Sequence, residues 1–218
     1  MSLLDKYVII SCDCGSYWLW AKFYPNVDRM FIPYNSPLTA HLFRDDDDFL
    51  KFCENYDDYV SKEPEIFILP GDEDAKGYKF EGLKEVIRTP HDQYAHPELL
   101  KTKWRGRALL GQGKEKIFIW SAGHFVEPPN EEKRSEMITR FNNLDGWTIF
   151  LTELAHEKDL STEKHIVKFV DEWGSCTQHQ RANGKWNPLV WNLTDVDGGV
   201  TIPIFKKLIE ENVFVHNI

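Results

Sequence analysis

The stretch that decides the fold is IFIWSAGH, residues 117–124, in which four apolar residues lead directly into Ser121, Ala122, Gly123 and His124. A run that is apolar at every position, rather than at every second one, is typical of a strand covered by helices on both faces. In open α/β sheets, ligands bind beyond the carboxyl ends of such strands. The stretch therefore predicts a buried parallel strand with a site at its end.

Other runs of this kind divide the chain into strands, and the segments between them predict helices. The additional strands are YVII at 7–10, IFIL at 66–69 and WTIFL at 147–151. Asp45–Asp48 open one predicted helix, since carboxylates accept hydrogen bonds from free backbone N–H groups and suit the positive end of the helix dipole. Asn130 is the expected cap of another helix, which leads through a turn at Asp145-Gly146 into WTIFL.

The remaining segments complete the predicted fold. Aromatic-rich segments over residues 16–34 are expected to form strands, further helices are expected from Ser161 and near Pro203, and a closing strand is expected at 213–215. The result is an α/β protein with a mixed, mostly parallel sheet, helices on both faces in three layers, and an antiparallel meander near the N-terminus. We expect a single domain over residues 1–218, with an irregular insertion around 70–100, where prolines and glycines interrupt every pattern.

Composition restricts the class of protein. The chain of 218 residues is 42% hydrophobic and 28% charged, with a formal net charge of −9. This balance is typical of a folded, acidic, soluble protein, and it disfavours nucleic acid as a partner. No apolar run approaches the roughly 18 residues that a spanning helix needs, and the first residues lack the layout of a signal peptide. We therefore expect a cytoplasmic protein without a membrane partner, with its four cysteines reduced.

The loops after the four apolar runs contain the candidate site residues. We expect catalytic roles for Asp13, His124 and Glu153, ligand-binding roles for Gly15, Ser121 and Gly123, and metal binding by Asp13, Asp72 and Asp74. Glycines allow a ligand to approach the backbone, carboxylates hold cations or act as bases, and histidine titrates near neutral pH. The alternative is that turns and helix caps select the same residue types without any catalytic role.

One strongly basic stretch, KTKWRGR at 101–107, is a candidate for phosphate contacts through Arg105 and Arg107. If extended, it would present its cations on one face at intervals of about 7 Å, which suits a phosphate backbone. The alternative is a helix that begins at Pro97, on which the same charges would spread around the surface.

These features predict an enzyme that acts on a phosphate-bearing small molecule, a nucleotide or a sugar phosphate, by metal-assisted hydrolysis or transfer with Mg²⁺ or Mn²⁺. The main alternative is a non-catalytic acidic module that binds a protein partner. A weaker alternative is a protein that acts on nucleic acid through residues 101–107.

Overall fold

The fold is given by a computed structural model, which describes residues 3–12, 15–24, 28, 32–89, 96–121, 130–152 and 164–169. After a 3-10 turn at Leu3–Lys6, the elements in chain order are β1 Tyr7–Ser11, α1 Gly15–Phe23, β2 His41–Leu42, α2 Asp46–Glu54, α3 Tyr56–Ser61, β3 Glu65–Ile68, β4 Ala75–Lys79, β5 Val86–Arg88, α4 Pro97–Gly111, β6 Glu115–Ser121, α5 Glu131–Asn142, β7 Trp147–Thr152 and β8 His165–Phe169.

The first sheet, sheet A, is parallel and has the strand order β1-β6-β7-β8. Its register pairs Ser11 with Ile119 and Ser121 with Leu151, so the carboxyl ends of β1, β6 and β7 lie side by side. Val8, Ile9 and Ile119 are fully buried, as runs that are apolar at every position require. The α/β class and the parallel strands at 7–10, 117–120 and 147–151 are confirmed.

The second sheet, sheet B, is antiparallel with the order β2-β5-β4-β3, and it contains the fourth apolar run. The prediction that IFIL is a parallel strand was wrong: it forms β3 and returns to β4 through a hairpin, in which Gly71 has a φ of 79°. An apolar run cannot by itself distinguish a parallel strand from an antiparallel one. Within the segment expected to be irregular, residues 75–79 and 86–88 form short strands.

Two further predictions were wrong. Strands of an antiparallel meander were expected over residues 16–34, but Gly15–Phe23 form helix α1, in which the buried residues Ser16, Trp20 and Phe23 follow helical spacing. The helix expected from Ser161 is replaced over its described part by strand β8, which pairs with β7 from His165 to Phe169. The predicted helix near Pro203 and the strand at 213–215 lie outside the described residues.

A shared hydrophobic core joins the two sheets. Phe118 of β6, Tyr78 of β4, Trp104 of α4 and Phe141 of α5 belong to one cluster of buried side chains. Residues of both sheets lie in this cluster. The burial of apolar surface, which is the main contribution to stability, therefore requires both sheets to be formed. The single-domain prediction itself remains a prediction.

The two helix starts predicted from capping residues are confirmed. Asp45 Oδ1 accepts a hydrogen bond of 2.8 Å from the backbone N–H of Asp48, and Asn130 Oδ1 accepts one of 2.8 Å from that of Lys133. Both are N-cap bonds of the expected kind. None of the described helices has the length and apolarity needed to cross a bilayer, and the cytoplasmic location remains a prediction.

Candidate functional site

The carboxyl ends of β1 and β6 meet the N-terminus of α2. The backbone N–H of Cys12 donates to the carbonyl of Ile119 at 3.2 Å, and the backbone N–H of Phe43 donates to the carbonyl of Cys12 at 3.1 Å. Trp120 Nε1 then donates to Asp46 Oδ1 at 2.7 Å. We call this region the carboxyl edge of sheet A.

The turn from β1 into α1 is fixed by buried hydroxyl groups. The backbone N–H of Ser16 donates to Ser11 Oγ at 3.1 Å, and Ser16 Oγ donates to the carbonyl of Thr39 at 3.1 Å. Both serines are at most 1% exposed. Because the first turn of α1 is held this way, the N-terminus of α1, which begins at Gly15, has a defined position at the carboxyl edge.

Asp46 is the most perturbed carboxyl group at this edge. It is the first residue of α2 and is only 8% exposed. Burial raises its pKa to about 6, although the hydrogen bond from Trp120 lowers it; the neighbouring Asp45 raises it further. A carboxyl group with a pKa of about 6 exchanges its proton near neutral pH, which is the property that a general acid or base requires.

Arg134, in the first turn of α5, is a cation whose charge acts on the carboxyl group of Asp46. It is 9% exposed, its guanidinium lies 5.7 Å from the centre of the Phe150 ring, and its charge lowers the pKa of Asp46. Since α5 follows β6 and α1 follows β1, both helices begin after strands that end at the carboxyl edge. The positive ends of two helix dipoles and one buried guanidinium therefore lie at the same end of sheet A, its carboxyl edge.

The structure places two of the predicted site residues at this edge. Gly15 begins α1, and Ser121 is the last residue of β6, paired with Leu151. Four others, Asp13, Gly123, His124 and Glu153, lie outside the described residues.

The predicted metal ligands Asp72 and Asp74 lie elsewhere, in the hairpin turn between β3 and β4 of sheet B. Asp72 Oδ1 accepts from the backbone N–H of Asp74 at 2.9 Å, and its Oδ2 lies 2.5 Å from Lys76 Nζ, which lowers the pKa of Asp72. The expectation that this turn follows a parallel strand of the main sheet was wrong, because β3 turns back into a hairpin. Within the described ranges, no group of three or more His, Cys, Asp or Glu residues could hold a metal ion.

Arg105 and Arg107 lie on helix α4, so the extended form of residues 101–107 was wrong and the helix that begins at Pro97 is confirmed. Arg105 Nε donates to Glu63 Oε2 at 2.6 Å, and the Arg107 guanidinium lies 5.0 Å from the centre of the Tyr34 ring. Arg105 borders a groove together with Lys116. Because Lys116 precedes Ser121 by five strand residues, this groove lies about 16 Å from the carboxyl edge.

Sequence reasoning missed Asp46, Trp120 and Arg134. The sequence contains one signal for Asp46 and one for Trp120. A helix needs one capping carboxylate, whereas the chain has four in a row at Asp45–Asp48. A tryptophan at the end of a buried strand needs an acceptor for its indole N–H. Neither signal identifies which carboxylate the indole reaches.

No protein-family model matches the chain, and no curated protein or solved structure is significantly similar to it.

Proposed function

We propose that the chain is an enzyme that acts on a phosphate-bearing small molecule, a nucleotide or a sugar phosphate, by hydrolysis or group transfer at the carboxyl edge of sheet A. The observation that carries this proposal is the buried Asp46 carboxyl, which accepts from Trp120 at 2.7 Å and has a pKa raised by burial to about 6. A capping carboxylate at a helix start does not need to be buried, whereas Asp46 is only 8% exposed.

In this proposal, Asp46 moves the proton. At neutral pH it is largely ionised but close to its midpoint, so it can take a proton from a water or hydroxyl nucleophile and return it to a leaving group. The hydrogen bond from Trp120 occupies Oδ1 and fixes the orientation of the carboxyl group. The other oxygen, Oδ2, is then the atom that we assign to the substrate.

The phosphate group is assigned to the positive side of the edge. The N-termini of α1 and α5 begin there, and the positive ends of helix dipoles favour anions. Arg134 adds a formal positive charge close to Asp46. These groups would stabilise the negative charge that develops during phosphoryl chemistry.

A divalent cation, Mg²⁺ or Mn²⁺, is part of the proposal through Asp13, which follows β1 in the sequence. The described residues do not form a cation site by themselves. When bound, the cation would polarise the phosphoryl group. Cation dependence is therefore one arm of the experiment.

The test begins with a thermal-shift screen of the purified chain against nucleotides and sugar phosphates, each with Mg²⁺, Mn²⁺ or a chelator. A ligand that binds only the folded state must raise the melting temperature. Each compound that does so is then assayed for turnover. We expect Asp46→Asn to retain binding and to lower kcat by about 10²- to 10⁴-fold.

The matched control is Asp58→Asn, which makes the same change on an exposed carboxylate of α3. It should leave kcat unchanged. A flat screen across all compounds and cations, or full turnover in Asp46→Asn, would overturn the proposal. A flat screen would favour the non-catalytic, partner-binding alternative.

A further inference from the structure

A second surface of interest lies at the opposite end of sheet A from Asp46. It is a groove of about 1060 Å³ between α3 and α4, which we call the α3–α4 groove, and its lining includes Tyr56, Trp104, Leu109, Lys114 and Lys116. Lys116 is the second residue of β6, whereas Trp120 and Ser121 are its last two. The groove is therefore separate from the carboxyl edge.

The lining of the groove is positively charged although the chain is acidic. It contains four cationic side chains and two carboxylates, namely Lys62, Arg105, Lys114, Lys116, Asp57 and Glu63, whereas the whole chain has a net charge of −9. Three of the cations have a carboxylate partner: Lys116 Nζ lies 2.8 Å from Asp57 Oδ2, Arg105 pairs with Glu63, and Lys62 Nζ lies 2.7 Å from Asp58 Oδ2. The fourth cation, Lys114, is the one that favours an anion at this place.

Lys114 is the cation that an incoming anion would meet unpaired. Among the described residues, its Nζ has no ion pair and no hydrogen bond, and burial lowers its pKa, although Asp5 raises it. Taking a lysine ammonium partly out of water without a partner is unfavourable. A bound anion would relieve that cost.

The groove also presents apolar surface beside these charges. The side chain of Leu109 is 71% exposed, and the aromatic residues Tyr56 and Trp104 lie beneath the rim, where they are 5% and 1% exposed.

We propose that the α3–α4 groove is a binding site for a small aromatic anion, whose ring lies on Leu109 and whose negative group is received by Lys114. The assignment follows from one lining that combines unpaired positive charge with exposed apolar surface. Specific ligand sites typically combine these two features. The site is independent of Asp46, because no residue of the carboxyl edge contributes to it.

The test uses 2-naphthalenesulfonate as the probe and isothermal titration calorimetry on the full chain. We expect saturable binding with one site per chain, and much weaker binding of the neutral 2-naphthalenesulfonamide. Lys114→Gln should weaken the binding of the sulfonate about tenfold, the loss expected for one charge-assisted hydrogen bond. Leu109→Ser, at a position that is 71% exposed, should weaken the binding of both compounds about fivefold.

The matched control is Lys133→Gln, which removes the same charge from an exposed position on α5. It should bind the sulfonate like the unmodified chain. The proposal is overturned if the sulfonate does not bind at millimolar concentration, if the sulfonamide binds equally well, or if Lys114→Gln and Lys133→Gln bind alike. Asp46→Asn should bind the probe normally, so the outcome is distinguishable from that for the proposed enzymatic function.

Discussion

The indole N–H of Trp120 donates a 2.7 Å hydrogen bond to Asp46 Oδ1, and it does so between two buried side chains at the carboxyl edge of sheet A. This bond joins the end of β6 to the first residue of α2. It is therefore both a fold contact between two elements distant in sequence and the contact that orients a carboxyl group with a pKa near neutrality. Substitutions of Asp46 and of Trp120 therefore test the fold contact and the orientation of the carboxyl group separately.

The stability of Asp46→Asn relative to that of the unmodified chain should increase as the pH rises. The pKa of Asp46 in the folded state is about 6, above the ordinary value of 3.8, so its stabilising contribution is complete below about pH 4 and is lost as the pH rises through 6. The full shift corresponds to about 3 kcal/mol. The asparagine cannot ionise, and its amide oxygen still accepts from Trp120.

The measurement is urea unfolding of both proteins at several values between about pH 4 and pH 8. The difference in unfolding free energy should change in favour of Asp46→Asn by up to about 3 kcal/mol over this range. Asp58→Asn, at a side chain that is 61% exposed, serves as the control for a lost surface charge. A difference for Asp46→Asn that is constant with pH would contradict the prediction.

Trp120→Phe should raise the pKa of Asp46 above its present value. The indole hydrogen bond lowers that pKa against the larger effect of burial, and phenylalanine keeps the carboxyl buried without donating to it. The variant should also unfold more easily by about 1 to 3 kcal/mol, because the ring of Trp120 packs against Phe141 and Phe150 at centre distances of 5.4 and 4.5 Å.

Carbon-detected NMR titration of the aspartate carboxyl groups measures this pKa directly. Trp147→Phe is the matched control, because its indole donates to Glu115, an exposed pair at the other end of β7. Trp147→Phe should leave the titration midpoint of Asp46 unchanged. A midpoint for Asp46 that stays constant or falls in Trp120→Phe would show that the indole does not stabilise the ionised carboxyl.

The parallel strands of sheet A could be predicted from the sequence because burial on both faces leaves a continuous apolar pattern. Ile9, Phe118 and Ile119 are all at most 1% exposed. The cap residues Asp45 and Asn130 could also be predicted, because an N-cap bond depends only on residues within one turn. Local rules thus predicted the elements whose causes are local.

The errors occurred where the structure of a segment depends on residues that are distant in the sequence. The aromatic residues Tyr17, Trp20 and Phe23 favour a strand by propensity, yet they form α1, which packs against β1. Residues 165–169 become β8 because the open edge of β7 provides backbone hydrogen-bond partners. The Asp46–Trp120 contact spans 74 positions, and no local pattern specifies it.

Arg140→Gln should destabilise the chain by loosening the contact between α2 and α5. Arg140 donates to Glu54 at 2.7 and 2.9 Å and to Asp47 at 2.7 Å, and its side chain is only 25% exposed. Two-pronged guanidinium–carboxylate pairs are stronger than ordinary surface pairs. We expect a loss of about 1 to 2 kcal/mol in unfolding free energy, with a smaller loss at high salt.

Lys62→Gln is the comparison for Arg140→Gln, since Lys62 forms an exposed ion pair with Asp58 within one helical turn. Its removal should cost less than about 0.5 kcal/mol. Urea unfolding at low and high salt measures both variants. If the two losses are equal, the Arg140 cluster acts only as a surface pair.

Gly77→Ala should be severely destabilising, because β4 and β5 pair too closely to leave room for a side chain at Gly77. Gly77 has a φ of 151°, and a Cβ built on it would lie 1.9 Å from the carbonyl oxygen of Val86 on the neighbouring strand. This oxygen belongs to the backbone, so relief requires the two strands to separate, and Tyr78 with them. We expect a loss of about 3 kcal/mol or more.

Gly106→Ala is the matched control, because Gly106 lies within α4 and a Cβ there would meet nothing within 4 Å. Alanine is the better helix former, so this variant should gain about 0.5 to 1 kcal/mol. Thermal and urea unfolding of both variants should therefore give shifts of opposite sign. Since Tyr78 and Val86 lie in the core cluster shared by both sheets, Gly77→Ala should also lower the stability of sheet A, as one cooperative transition. Separate transitions for the two sheets would contradict the shared core.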